Sequence, residues 1–145
     1  ACEITVDTET GKIKVLRYEA ASFAGKVVNP VLANLQNDGN VIFGLGPAVS
    51  EEILFDADGR VRNDNLGDYL IPSMLDLPGE LRSSCVEDGG DVYHGIGEMT
   101  LPPVAPALAN AIYDATGVRI YDLPLSPERV LAALRAAEQG ANHGG

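Results

Sequence analysis

The chain has 145 residues, 46% of them hydrophobic, with a mean hydropathy of +0.04. It is long enough to bury a core and too apolar for a disordered segment. A net charge of −11 and a pI near 4.4 set it against the phosphate backbone of nucleic acids, and it has neither a basic stripe for a membrane surface nor an apolar run long enough to span a bilayer.

Cys2 and Cys85 stand outside any CxxC and away from histidine at ligand spacing. Two reduced thiols in a cytoplasmic protein are expected, rather than a disulfide or a zinc site. No signal peptide is visible. The chain opens on Ala1 without an initiator Met and is at once in strand-like alternation, so we expect a piece of something larger, either excised or encoded as a small subunit.

Residues 3–7 and 12–21 alternate apolar and polar around a Gly11-bearing loop, which predicts a β-hairpin whose second strand ends near Gly25. Asn29-Pro30 predicts a helix entry, Asn as cap and Pro in the first turn. The helical stretch that follows holds Gly39, Gly44 and Gly46, each costing about 1 kcal/mol relative to alanine. Tight helix–sheet packing and close approach of a ligand explain them equally well at this point.

Ile53–Phe55 predicts a short strand, Asp56–Arg60 a turn, and Val61 a resumed strand. From Asp64 to Pro78 there is no period, which predicts a long ordered loop held by Tyr69, Leu70, Ile71, Met74 and Leu75. Glu80–Glu87 predicts a strand. Val104–Thr116 is alanine-rich and apolar on nearly all sides, which predicts a buried helix stopped by Gly117. Val118–Leu123 predicts a short strand, and Ser126-Pro127-Glu128 the capped start of a last helix with Leu131 and Leu134 on its apolar side. From Gly140 a frayed tail is expected, His143 within it. The expected fold is α+β, a mostly antiparallel sheet with packed helices, in one domain over 1–145 with its core at about 3–138 and a tail at 139–145.

Three places could carry chemistry. Gly95-Ile96-Gly97-Glu98 precedes a helix: glycines let a backbone crowd a ligand, and a carboxylate beside them in a cleft suits a general base. A Glu that merely faces a helix dipole explains the same four residues. Gln36 can donate to and accept from a polar ligand, or be a solvated helix residue. Gly44-Leu45-Gly46 could turn around a phosphate, but no GxGxxG follows a strand and no GxxxxGK[ST] exists. The Asp56–Gly59 turn lacks the later ligands of a calcium loop, and no GxSxG supports Ser83 or Ser84 as a hydrolase nucleophile.

The order of these segments resembles the C-terminal part of the molybdenum-binding subunit of the xanthine dehydrogenase/aldehyde oxidase family. The matching stretches are Ile4–Val15, Gly25–Gln36 with its Asn-Pro, Gly44–Glu52, Asp68–Pro72 and Gly95–Gly117, and the tail Leu-Pro-Leu-Ser-Pro-Glu-Arg-Val looks like the family's usual ending. The family often has an Asp where Phe23 and Ala24 stand, and a Lys where His94 stands.

This resemblance implies a molybdenum–pterin cofactor, molybdopterin or its cytosine dinucleotide form, shared with segments that this chain lacks. It implies oxidation of aldehydes or N-heterocycles with water as oxygen source, with Glu98 as general base toward a hydroxyl on the metal. It places Gln36 at a side-chain amide contact to the cofactor and lets Gly95 and Gly97 bring backbone amides to the pterin. No metal ligand is expected from the chain itself. The expected partners are the rest of the molybdenum-binding domain, 2Fe-2S and FAD domains or subunits, and a small-molecule substrate, with a homo-oligomer an open option. The isolated chain is expected to be inactive and to expose an apolar patch on the sheet or on helix 104–116 unless a partner covers it. The competing readings are a structural or assembly subunit that keeps the fold without the cofactor, and an unrelated acidic binding module with a chance match, which a Glu98 facing solvent on a convex surface would favour.

Overall fold

The computed structural model describes residues 1–142; His143 lies outside them. The hairpin forms as the alternation requires. β1 (Cys2–Val6) pairs antiparallel with β2 (Ile13–Phe23), from Cys2 opposite Tyr18 to Val6 opposite Ile13, with a register shift between Glu3 and Ile4. Asp7 closes the turn, its carboxylate accepting from the Glu9 and Thr10 amides at 2.9 and 3.2 Å, which holds that carboxyl below its ordinary pKa.

α1 (Pro30–Val49) begins as expected, with the Asn29 side chain accepting from the Leu32 amide at 3.1 Å and Pro30 in the first turn. The helix runs unbroken through its glycines. Gly44 explains itself: a Cβ there would meet Val104 Cγ2 at 2.8 Å and the Leu101 carbonyl at 3.0 Å. The close approach is therefore helix to helix rather than helix to sheet, and Gly44-Leu45-Gly46 is helix interior rather than a phosphate-binding turn.

β3 (Glu80–Val86) pairs parallel with β2, from Arg17 opposite Glu80 to Phe23 opposite Val86. The three-stranded sheet, ordered β1-β2-β3, is thus mixed: antiparallel at the hairpin, parallel where α1 intervenes, since a parallel pair needs a crossover. With the helices this gives the expected α+β architecture. α2 (Val104–Thr116) ends at Gly117, which takes the left-handed conformation with φ 73°. It is not buried all round. Val104, Leu108 and Ile112, one turn apart, form its buried stripe, while Tyr113 and Asp114 face out. Alanine content made the helix look apolar everywhere without making every face a packing face.

α3 (Pro127–Asn142) opens under Ser126, whose hydroxyl accepts from the Arg129 amide at 3.4 Å, and continues through Gly140 rather than fraying there. Val130 and Leu134 are its buried residues, with Leu131 half-buried. Its first turn sits on the hairpin: Gly11, at φ 75°, has the Pro127 carbonyl where a Cβ would stand. α1 packs on β2, β3 and α2, and α2 packs on β1. Val15, Tyr18, Val41, Leu45, Leu108 and Ile112 lie at the centre of the core.

The segment between α1 and β3 departs most from expectation. Ile53–Phe55 and Val61 form no strand beyond a single bridge between Phe55 and Val61. Asn63 braces this piece, donating to the Glu52 carbonyl at 2.6 Å and accepting from the Leu54 amide at 2.9 Å. Leu70, Ile71, Met74 and Leu75 do not hold the following loop: they are exposed, Leu75 almost fully at 96%. Polar contacts hold it instead, Tyr69 Oη to Glu51 at 2.8 Å and Ser50 Oγ to the Leu70 carbonyl at 2.7 Å. Val118–Leu123 is irregular rather than a strand, with Tyr121 exposed. Exposed apolar side chains lie on the first turns of α1 (Val31, Leu32, Leu35) and along the 53–75 segment; of the two expected places, the sheet exposes Phe23 and Val86, and α2 exposes only Tyr113 among its large apolar residues. Among the described residues no helix is long and apolar enough to cross a membrane.

Candidate functional site

The Gly95–Glu98 segment reaches its place because the chain turns back after β3, and Tyr93 bridges Gly25, just past the end of β2, in the antiparallel sense. The His94 amide donates to the Ala24 carbonyl at 3.0 Å and the Lys26 amide to the Val92 carbonyl at 2.8 Å. Gly25 allows this crossing: it stands at φ 61°, with the Val92 carbonyl and the His94 ring where a side chain would be. The His94 ring lies against Phe23, centroids 5.3 Å apart. From there the chain turns over the middle of α1.

Two helix amides catch it. Gln36 Nε2 and Asn40 Nδ2, one helical turn apart, both donate to the Gly97 carbonyl at 2.7 Å. Three residues on, the buried Thr100 hydroxyl donates to the Asn37 carbonyl at 2.9 Å. Asn37 is itself fixed to the sheet, its Nδ2 donating to Ser22 Oγ at 2.8 Å. Glu98 sits between the two fastened points. Its carboxylate is exposed and makes no hydrogen bond or ion pair with any described residue. Burial inside this chain therefore does not desolvate it; any such desolvation has to come from what covers the site.

Beside the turn lies an open cleft of about 420 Å³, walled by Asn29, Leu32, Gln36, Tyr93, Ile96 and Gly97. Lys26 stands at its rim, paired to Asp91 at 2.8 Å. Gln36 spends its amide nitrogen on Gly97 and keeps its Oε1 without a partner among the described residues. Gly95 and Gly97 show a telling contrast with Gly25 and Gly44. Neither has a positive φ, and a Cβ added to either would meet nothing within 4 Å. Nothing among the described residues requires glycine there. The open space over both glycines, an amide edge at Gln36 and apolar walls fit a flat, hydrogen-bonding heterocycle such as a pterin.

The four residues singled out from the sequence thus gather at one place: Gln36 and Gly97 in direct contact, Gly95 and Glu98 on the same turn. Asn40 and Thr100, which fasten it, were missed. The signal for Asn40 was its spacing of four from Gln36 on one helix face; Thr100 carried none.

Comparison with known proteins gives the family. The molybdopterin cofactor-binding domain model matches residues 1–78, and the chain belongs to that family, as represented in the xanthine dehydrogenase and aldehyde oxidoreductase proteins. It is 41% identical over 133 residues to the xanthine dehydrogenase molybdenum-binding subunit of Escherichia coli O157:H7, covering 88% of this chain and 18% of that protein. Quinoline 2-oxidoreductase from Pseudomonas putida 86 superposes with a TM-score of 0.84 at 27% identity, over 92% of this chain and 18% of that one. The aldehyde oxidoreductase of Desulfovibrio gigas gives 0.81 at 33% identity, over 92% and 15%. The chain spans less than a fifth of the length of these relatives.

Proposed function

We propose that this chain forms one wall of the molybdenum–pterin site of a hydroxylase acting on aldehydes or N-heterocycles, and that Glu98 is its general base. The observation that carries this reading is the pairing of a carboxylate unengaged among the described residues with two glycines that none of those residues demands, on a turn fastened to α1. When bound, the molybdenum centre supplies the oxidising power and an activated, water-derived oxygen. Gln36 binds the cofactor edge through its unengaged Oε1 side. Gly95 and Gly97 keep the backbone low enough for the pterin to lie on it. Glu98 would take up and hold a proton at its carboxylate in the hydroxylation that this centre would supply.

Base catalysis of this kind requires water to be kept away, so that the carboxylate is strong enough and the reactive oxygen is not hydrogen-bonded elsewhere. An exposed Glu98 cannot meet that condition unaided. The remaining molybdenum-binding segments cover it in this reading, with 2Fe-2S and FAD domains or subunits taking the electrons onward, and the isolated chain is inactive. The cytosine dinucleotide form of the cofactor and a homo-oligomeric enzyme fit the same reading.

The test is Glu98→Gln in the assembled enzyme. Turnover falls by about 10²- to 10⁴-fold while molybdenum content is unchanged. Unchanged turnover refutes the base assignment and leaves the structural-subunit reading in its place.

A further inference from the structure

We propose that Asn40 is a positioning residue for Glu98, holding the Gly97 carbonyl whether or not Gln36 is engaged by a ligand. This rests on the reading of Glu98 given above. Glu98 has no side-chain partner among the described residues, so its placement is inherited wholly from its backbone. That backbone is fastened at the Gly97 carbonyl and at Thr100 Oγ1. The Gly97 carbonyl takes two amide donors, filling both of its lone pairs.

The two donors are unequal. Gln36 is exposed on the cleft wall, on a long side chain, where a ligand entering the cleft competes for it. Asn40 is 5% exposed, on a shorter side chain with one fewer rotatable bond, and does not line the cleft. Less conformational entropy opposes its bond, and water does not compete for it. Asn40 therefore keeps the turn fixed when Gln36 shifts toward a ligand. The buried Asn37, between them on α1, makes the helix itself a rigid mount by its bonds to Ser22 and the Ser84 carbonyl.

The experiment uses the assembled enzyme carrying Asn40→Leu, which keeps the branched side-chain skeleton, adds some bulk and removes the donor, beside Gln36→Leu and Glu98→Gln. Amide hydrogen exchange over residues 95–104 reads the turn directly; its reporters are the Met99, Leu101 and Val104 amides, which donate to Ile96, Glu98 and Leu101 carbonyls. Asn40→Leu is expected to speed exchange there by about fivefold, the equivalent of one hydrogen bond of ordinary strength, and to lower kcat with KM and molybdenum content unchanged. Gln36→Leu is expected to leave that exchange nearly as it was. Asn40→Ala, which removes the donor without adding bulk at this buried position, gives the same direction should the leucine variant fail to accumulate.

Unchanged exchange in both Asn40 variants overturns the clamp. Faster exchange with unchanged kcat, while Glu98→Gln abolishes turnover, overturns the positioning role. If Glu98→Gln itself retains turnover, the base assignment has failed, and the exchange data still decide on their own whether Asn40 holds the turn.

Discussion

Gly39 and Gly44 offer a controlled comparison, because they share a helix, a residue type and a backbone conformation and differ in what surrounds them. Replacing either by alanine raises helix propensity by about 1 kcal/mol. At Gly39 an added Cβ meets nothing within 4 Å, so the gain stands and the variant is more stable. At Gly44 the Cβ falls 2.8 Å from Val104 Cγ2, 3.0 Å from Val104 Cβ and 3.0 Å from the Leu101 carbonyl. Val104 is fully buried and β-branched, so its side chain cannot swing away, and the carbonyl moves only with the backbone. Overpacking of this kind costs about 1–3 kcal/mol. Since the propensity gains cancel, the difference between the two variants isolates the packing cost, and Gly44→Ala is expected to be about 1–3 kcal/mol less stable than Gly39→Ala. Urea denaturation followed by helical circular dichroism measures it, as a midpoint separation on the order of 1 M. Two variants within about 0.5 kcal/mol of each other would refute the argument that Gly44 is there to let α2 approach.

Other outcomes follow from the same structure. Leu108→Ala, at a fully buried site on α2, lowers stability by about 2–5 kcal/mol in the same denaturation assay. Asn29→Ala removes the cap on Leu32 and costs about 1 kcal/mol; an unchanged midpoint would deny the cap its role. Burial, with the neighbouring Cys2 adding to it, pushes the Tyr18 hydroxyl up to about 12 from an ordinary 10. Its contribution to stability is complete below pH 10 and is lost as pH rises toward 12. Tyr18 should thus resist ionisation in an absorbance titration until the fold opens. The Ser73 hydroxyl and amide hold the Asp76 carboxyl below its ordinary value. The stability this gives is present above about pH 4 and lost as pH falls through the lowered value, so Asp76→Asn flattens the acid limb of the stability curve.

Local rules were legible in the sequence wherever local chemistry decides. The hairpin, the Asn29 cap, the Gly117 stop and the Ser126 cap were visible because each depends on residues within a few positions of one another. Two decisions were not local. Whether β3 lies parallel or antiparallel to β2 is settled by the path of α1 across the sheet, which no alternation records. Leu70, Ile71, Met74 and Leu75 read as anchors because apolar residues in a loop usually are; here Asn63, Tyr69 and Ser50 hold the segment, and the apolar groups face outward. At the site, spacing gave Glu98 and its glycines without geometry, and the ordered set of family-like segments supplied their meaning. The contact between Gln36 and Gly97 spans 61 residues, which is why no window of the sequence contains it.

The parallel pairing of β2 with β3 has a kinetic consequence. Arg17 meets Glu80 across 63 positions of chain (80 − 17), whereas the β1–β2 hairpin closes over a handful. Contacts so distant form late, after the entropy of closing a long loop has been overcome. Residues 94–100 come to α1 after the chain has turned back from that pair and bridged Gly25 at Tyr93. The cleft wall is accordingly among the last parts of the chain to be assembled, so a cofactor meeting a half-folded chain would find the helix but not the turn that carries Glu98.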